Sequence, residues 1–330
     1  MTPESDWQPT ASLETLKLRA DLLSKIRSYF QQQNVLEVET PAMSHAAVCD
    51  VHIECFSTKF KPVSRSVGQT VYLHTSPEYA MKRLLVAGSG DIYQVCKVFR
   101  NGEAGGRHNP EFSMLEWYRV GLDHHQLMDD VTGLLSHVCD FTELRRVSYQ
   151  QLFEEHLGIN PHRTATQQLI KLVKEKVDSE LSGLERNALL ELLFTHLIEP
   201  SLGWSAEGKL AGVYVYDFPA SMAALSRVQL DTEGQQVASR FELFIDGVEL
   251  ANGYNELADA IEQEKRFKHD KAKRQELGFE VNPIDEHLLS ALRVGLPDCA
   301  GVALGVDRLL MLLAGTHAIA DVLAFDFAHS

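Results

Sequence analysis

The sequence predicts an α+β fold, an antiparallel β-sheet backed by helices. Three observations lead there. Strand-patterned segments meet mostly through hairpins, most plainly in "FELFIDGVELAN", whose Asp246-Gly247 pair suits a two-residue turn. Helical, charged sequence is concentrated in one long stretch, about residues 121–205, as an insertion or cover. The 330 residues, 45% apolar and 23% charged, are ample for a buried core and ordinary for a globular chain. Hairpin connections exclude a doubly wound parallel sheet.

The elements follow in chain order. Residues 12–33 read as an amphipathic helix capped by Ser12, with Leu16, Leu23, Ile26 and Phe30 on one stripe. "VLEVETP" is a strand stopped by Pro41. In "VYLHTSPEYAMKRLLVAG" a short strand runs into a helix, with Ser76 as N-cap, Pro77 in the first turn and Gly88 at the end. "IYQVCKVFR" and "EFSMLEWYRV" are strands flanking a long glycine-bearing loop. After the helical stretch, "GVYVYDFP" returns to strand, and the Asp246-Gly247 hairpin follows. Residues 256–277 form a charged helix, and "AGVALGVDRLLMLLAG" is a strand passing into a helix.

Composition excludes several function classes. A net charge of −15 argues against a broad nucleic-acid footprint, because such surfaces are basic. Five scattered cysteines contain no C-x-x-C pair, so no disulfide framework or zinc knuckle is indicated. No apolar run reaches the ~18 residues of a membrane span. The start "MTPESDWQPT" has no secretory pattern. A cytoplasmic enzyme or binding protein is expected. P-loop, G-x-G-x-x-G, H-E-x-x-H and G-x-S-x-G motifs are absent. His124-His125, near a helix start, reads as solvated.

Three places carry candidate chemistry. Alternation puts Phe112, Met114, Glu116 and Tyr118 on one strand face. Glu116 among them needs a cation or donors, which either an internal salt bridge or a ligand supplies. Arg100, Arg107 and His108 around the loop suit an anion, or else a solvated hairpin tip. In the Asp246-Gly247 hairpin, Phe244 pairs with Glu249, so Glu242 is its diagonal neighbour on a face shared with Ala251. At about 7 Å two carboxylates repel by roughly 2 kcal/mol at an effective dielectric of 20. A hard divalent cation such as Mg²⁺ reverses that cost; the alternative is an exposed acidic face. Plain alternation turns Asn252, Tyr254 and Glu256 away from Glu249, and a bulge at Gly253 would bring both sets together. Glu78 sits in a first helical turn, where dipole stabilisation alone accounts for it. Arg308, after the glycine-bearing strand, is a candidate phosphate clamp or a surface arginine.

Taken together, these segments resemble the catalytic core of class II aminoacyl-tRNA synthetases of the lysyl type. "VLEVETP" resembles motif 1, "VFRNGEAGGRHNPEFSMLEWY" motif 2 and "GVALGVDRL" motif 3, while "SPEYAMKRLL" and "FELFIDGVELANGYNEL" resemble the lysine-pocket segments. The resemblance implies a six-stranded antiparallel sheet flanked by helices, in a single catalytic domain spanning 1–330, and a homodimer built through motif 1. It implies ATP as substrate, with Arg100 on the α-phosphate, Arg308 on the γ-phosphate, Phe112 stacked on adenine and Asn109 contacting ATP. Gly102, Glu103, His108, Glu249, Leu250 and Gly305 would also line the nucleotide. Glu242 and Glu249 would hold Mg²⁺. Glu78 would take a substrate amino group, and Tyr118, Asn252, Tyr254 and Glu256 the lysyl chain, with Glu116, Ser76, Pro77 and Ala303 around it.

The departures narrow this. Only 34 residues precede Val35, too few for the N-terminal OB domain that reads the anticodon, so no anticodon recognition is expected. Ala303 replaces the middle glycine of motif 3, and Ser76 replaces an alanine usual in the lysyl type. Gly102 holds a position that is usually glutamate, with Glu103 following. These features resemble the truncated lysyl-type paralogues that activate (R)-β-lysine and join it to a lysine ε-amine of elongation factor P. Alternatives are a lysine-type ligase acting on tRNA or another acceptor, and a non-catalytic synthetase-like regulator.

Overall fold

The computed structural model describes residues 7–63, 67–180, 183–204 and 210–330. In chain order the elements begin with helix α1 (Leu13–Gln32) and short strands β1 (Leu36–Glu37), β2 (Met43–Ser44), β3 (Ser57–Phe60) and β4 (Gln69–Leu73). Helix α2 (Glu78–Val86) precedes the long pair β5 (Ile92–Phe99) and β6 (Glu111–Val120). Then come α3 (His124–Val138), β7 (Phe141–Ser148), α4 (Tyr149–Leu157), α5 (Thr166–Lys176) and α6 (Arg186–Leu197). Strands β8 (Leu210–Pro219), β9 (Val228–Leu230), β10 (Gln236–Ile245) and β11 (Val248–Asn255) follow, then α7 (Ala260–Glu276), α8 (Glu286–Val294), β12 (Cys299–Gly305) and α9 (Val306–Ala314).

The α+β class holds, but the sheet is larger than expected. Among the described residues it has nine strands rather than six, in the order β1-β5-β6-β12-β11-β10-β8-β7 with β9 on β10. It is also mixed, since β1 pairs with β5 and β7 with β8 in parallel. The 121–205 stretch is not wholly helical, because β7 lies within it.

Two compact units partition the chain. The first comprises residues 1–121, 258–299 and 303–330, and the second 122–257 and 300–302. Strand β12 therefore contributes residues to both.

In the first unit, Ser12 caps α1 by accepting from Thr15 N, as the sequence indicates. The buried positions are Leu22, Ile26, Tyr29 and Phe30, so Leu22 rather than Leu23 is fully inside. Phe30 stacks on Tyr93 of β5 at 4.2 Å and meets Trp117 of β6 edge-on at 5.5 Å. Motif 1 continues its parallel pairing beyond β1, with Val38 N bonded to Tyr93 O. Asp307, at the start of α9, is buried; it accepts from Ser113 N at 2.6 Å and pairs with Arg19 of α1. One carboxylate thus ties α1, β6 and α9 together.

The second unit packs α4, α5 and α6 on one face of β8 and β10. Its core includes Tyr149, Phe153, Leu190, Leu193, Phe194, Val215, Phe218 and Phe244. Tyr149 stacks on Phe194 at 5.3 Å, and Phe194 meets Phe244 edge-on at 5.6 Å.

Candidate active site

Helix α2 and strand β6 of the first unit build an acidic cluster. The helix begins at Glu78, with Pro77 rather than Ser76 at the cap position. Ser76 still satisfies an end donor, because its Oγ accepts from Glu78 N at 3.0 Å. The same hydroxyl donates to Glu116 Oε2 at 2.6 Å, while Tyr118 donates to Glu116 Oε1 at 2.7 Å. The alternation read from the sequence is therefore right: Glu116 and Tyr118 share a face. Lys82, one turn after Glu78, is 1% exposed and donates to Glu78 Oε1 at 2.5 Å.

Burial and the nearby Glu78 push Glu116 up from 4.5 to about 7, against the opposing hydrogen bonds from Ser76 and Tyr118 and the charge of Lys82. The cluster holds two carboxylates and one lysine. A ligand ammonium would supply the second positive charge and draw Glu116 into its ionised form.

The loop between β5 and β6 presents the cations. Gly102 has φ of +83°, a left-handed conformation natural to glycine, and this turns Glu103 back to lie 3.5 Å from Arg100 Nη1. Arg100 stands over the Phe112 ring at 5.1 Å, and its Nε is buried without a hydrogen-bond partner among the described residues. An anion at the guanidinium would meet that demand. Arg308 Nη2 lies 2.9 Å from His108 Nε2, so these two predicted nucleotide contacts already touch. Asn109 is used internally: its amide donates to Glu111 O at 2.6 Å and accepts from Phe327 N at 3.0 Å. Ala303 and Gly305 occupy alternate, half-buried positions of β12, between buried Val302, Leu304 and Val306. A Cβ on Gly305 would sit 3.5 Å from Arg308 Cδ, so the glycine lies against the arginine stem.

The β10–β11 ribbon belongs to the second unit. From the turn, Ile245 pairs with Val248 and Phe244 with Glu249, as read from Asp246-Gly247. The register then shifts, so that Leu243 pairs with Ala251 and Glu242 with Asn252. The extra residue is Leu250, and the bulge is there rather than at Gly253. Gly253 serves another purpose: a Cβ would fall 2.5 Å from Phe241 ring atoms and 3.1 Å from Val302 Cβ. Ala251 consequently sits on the face opposite Glu242 and Glu249, not with them. Arg240, Glu242 and Phe244 share a face with Glu249, Asn252 and Tyr254.

Contacts confirm that assignment. Arg240 pairs with Glu242, donates to Asn252 Oδ1 at 3.2 Å and stands 5.8 Å from the Tyr254 ring. Burial pushes Glu242 up to about 8; Arg240 opposes this, and Glu249, Glu199 and Glu191 add to it. Glu242 remains starved of positive charge even beside an arginine, and a divalent cation between Glu242 and Glu249 fits that donor set. Glu256, also buried, bridges to Ser226, and its carbonyl accepts from Arg227 Nε at 2.7 Å.

Sequence reading missed Lys82, Arg240 and Asp307. The signals were present: Lys82 is four residues after Glu78 on a helix, and Arg240 two before Glu242 on a strand.

A family model for tRNA synthetases class II (D, K and N) matches residues 5–328. The chain belongs to that family. It is 49% identical over 328 residues, 99% of each chain, to an elongation factor P–(R)-β-lysine ligase of Vibrio atlanticus. Proteins of the same name from Vibrio cholerae and Salmonella arizonae are 50% and 48% identical, over 98% of each chain. No helix among the described residues is long and apolar enough to cross a membrane.

Proposed function

We propose that this chain is a ligase that activates (R)-β-lysine with ATP and joins it to a lysine ε-amine of elongation factor P. The observation that carries the reading is 48–50% identity over 98–99% of the chain with relatives of that name. The acidic cluster at Glu78 and Glu116 accords with it, because a diamino acid brings two ammonium groups.

The reaction has two steps. The β-lysine carboxylate attacks the α-phosphorus of ATP and displaces pyrophosphate, forming an aminoacyl-adenylate. The acceptor amine then attacks the adenylate carbonyl, and AMP leaves. No enzyme nucleophile is required, so catalysis consists of positioning and charge stabilisation. Arg100 takes the α-phosphate and Arg308 the γ-phosphate, with Phe112 beneath adenine and Gly102, Glu103, His108, Asn109 and Gly305 around the nucleotide. Glu78 and Glu116 bind ammonium groups; Ser76 and Tyr118 hold Glu116 in place, and Ala303 limits the room beside the substrate. On the ribbon, Glu242 and Glu249 hold Mg²⁺, which neutralises phosphate charge when bound. Leu250 adds a nucleotide contact, and Asn252, Tyr254 and Glu256 serve the substrate chain. Leu36 and Met43, either side of Pro41, are 55% and 58% exposed, which favours a homodimer through motif 1. Reaction in the cytoplasm completes the reading.

The test offers labelled α-lysine and both β-lysine enantiomers, with ATP, to tRNA and to elongation factor P in parallel. Label entering elongation factor P from (R)-β-lysine is expected, and charging of tRNA instead would overturn the reading. Arg100→Ala is expected to lower ATP–pyrophosphate exchange at least about 100-fold, as for loss of a central charge-stabilising donor. Near-normal exchange would remove Arg100 from the mechanism.

A further inference from the structure

Of the vicinal histidines at the start of α3, His124 is buried, contrary to the sequence reading, and His125 is half-buried. His124 is 1% exposed. Both its ring nitrogens and Asp217 Oδ1 are buried without a hydrogen-bond partner among the described residues. His124 Nε2 and Asp217 Oδ1 are 3.5 Å apart, close for an ion pair but without hydrogen-bond geometry. His125 completes the group: one potential ligand atom from each residue lies within 4.8 Å of the others. Leaving an imidazole and a carboxylate oxygen buried and unsatisfied is costly, and this arrangement asks for a ligand.

The backbone serves the same convergence. Asp217 has φ of +57°, and it lies where the β8–β10 register breaks between Ala238 and Phe241. The His124 and His125 rings are 4.1 Å apart, and His125 meets the Tyr216 ring edge-on at 5.1 Å. Two local charges work against a cation: the α3 N-terminus and Arg146, which donates to His125 O at 3.4 Å. Asp129 pairs with Arg146, and Asp123 caps the helix by accepting from Gln126 N at 2.8 Å.

We propose that His124, His125 and Asp217 bind one Zn²⁺ ion, each giving one ligand atom, with water in the fourth position. Tetrahedral zinc with bonds of about 2.0–2.1 Å needs ligand atoms roughly 3.3 Å apart. The His124–Asp217 distance of 3.5 Å nearly meets this already, and His125 has to close in from no more than 4.8 Å. Two imidazoles with one carboxylate select zinc over magnesium, which demands six oxygen ligands. The ion would clamp α3 to β8, a stabilising role separate from the carboxylate pair on the β10–β11 ribbon.

The experiment is a calorimetric titration of chelator-treated full-length protein with Zn²⁺ in millimolar Mg²⁺, followed by X-ray absorption at the zinc edge. One saturable equivalent is expected, with a nitrogen and oxygen shell near 2.0–2.1 Å. His125→Ala, at a half-buried position, is expected to stay folded by circular dichroism and bind zinc at least about 100-fold more weakly, exceeding the loss of an outer-shell partner. Asp217→Asn should act in the same direction. Zinc affinity unchanged in both variants, no saturable binding, or sulfur scattering near 2.3 Å would overturn the site.

Discussion

Glu116 offers the sharpest test of the substrate cluster. Its carboxyl lies at about 7 instead of 4.5, because it is buried beside Glu78. That gap corresponds to about 3 kcal/mol disfavouring the charged form in the ligand-free protein. The sign follows directly: a raised folded-state value gives stability that is fully present below 4.5 and is lost as pH rises through about 7. An ammonium group beside Glu116 needs the carboxylate, so substrate must expel the proton. At pH 6 roughly nine-tenths of the sites are protonated, so about 0.9 proton should leave per β-lysine bound, and Kd should be about tenfold weaker than above pH 8. Calorimetry without ATP or Mg²⁺, in buffers of differing ionisation enthalpy, counts those protons. Glu116→Gln should abolish the release and flatten the pH profile, whereas Glu242→Gln should leave the count unchanged. No proton released by the wild type at pH 6, or the same number released by Glu116→Gln, would refute the reasoning.

Two further outcomes concern the scaffold. Gly253→Ala places a methyl 2.5 Å from the Phe241 ring, and a loss of about 1–3 kcal/mol is expected from urea unfolding; an unchanged midpoint would show that the ring moves freely. Arg274 is 1% exposed and donates to the carbonyls of Asp50, Ile53 and Glu280 and to Glu54. Arg274→Met should cost about 1–3 kcal/mol, since it removes the donor from several part-buried acceptors, and a wild-type denaturant midpoint would contradict that.

Local chemistry was readable from the sequence, and long-range pairing was not. Ser12 as cap, the Asp246-Gly247 turn and the Glu116–Tyr118 face follow from rules spanning a few residues. The parallel partners of β1 and β7 do not, because nothing in a short strand specifies a distant neighbour. The bulge illustrates the limit. Glycine marked Gly253 as the permissive position, yet a bulge whose first residue stays right-handed needs no glycine, and Leu250 gives no local sign of it. Gly253 is instead required by the Phe241 ring, which is distant in sequence. His124 misled for a related reason: near a helix start it looks exposed, and only the fold buries it. In the candidate site, the carboxylates and the two arginines of motifs 2 and 3 were legible, while the buried partners Lys82 and Arg240 emerged only with the packing.

The passage of β12 through both units carries an implication for how the protein can be divided. Within seven residues this strand leaves one unit, supplies Ala300–Val302 to the other, and returns. A fragment ending after Leu257 would lack those three residues, and removing residues 122–257 would leave them with nothing of their own unit. No single proteolytic nick, and no gene fusion joined at one point, can separate the halves cleanly.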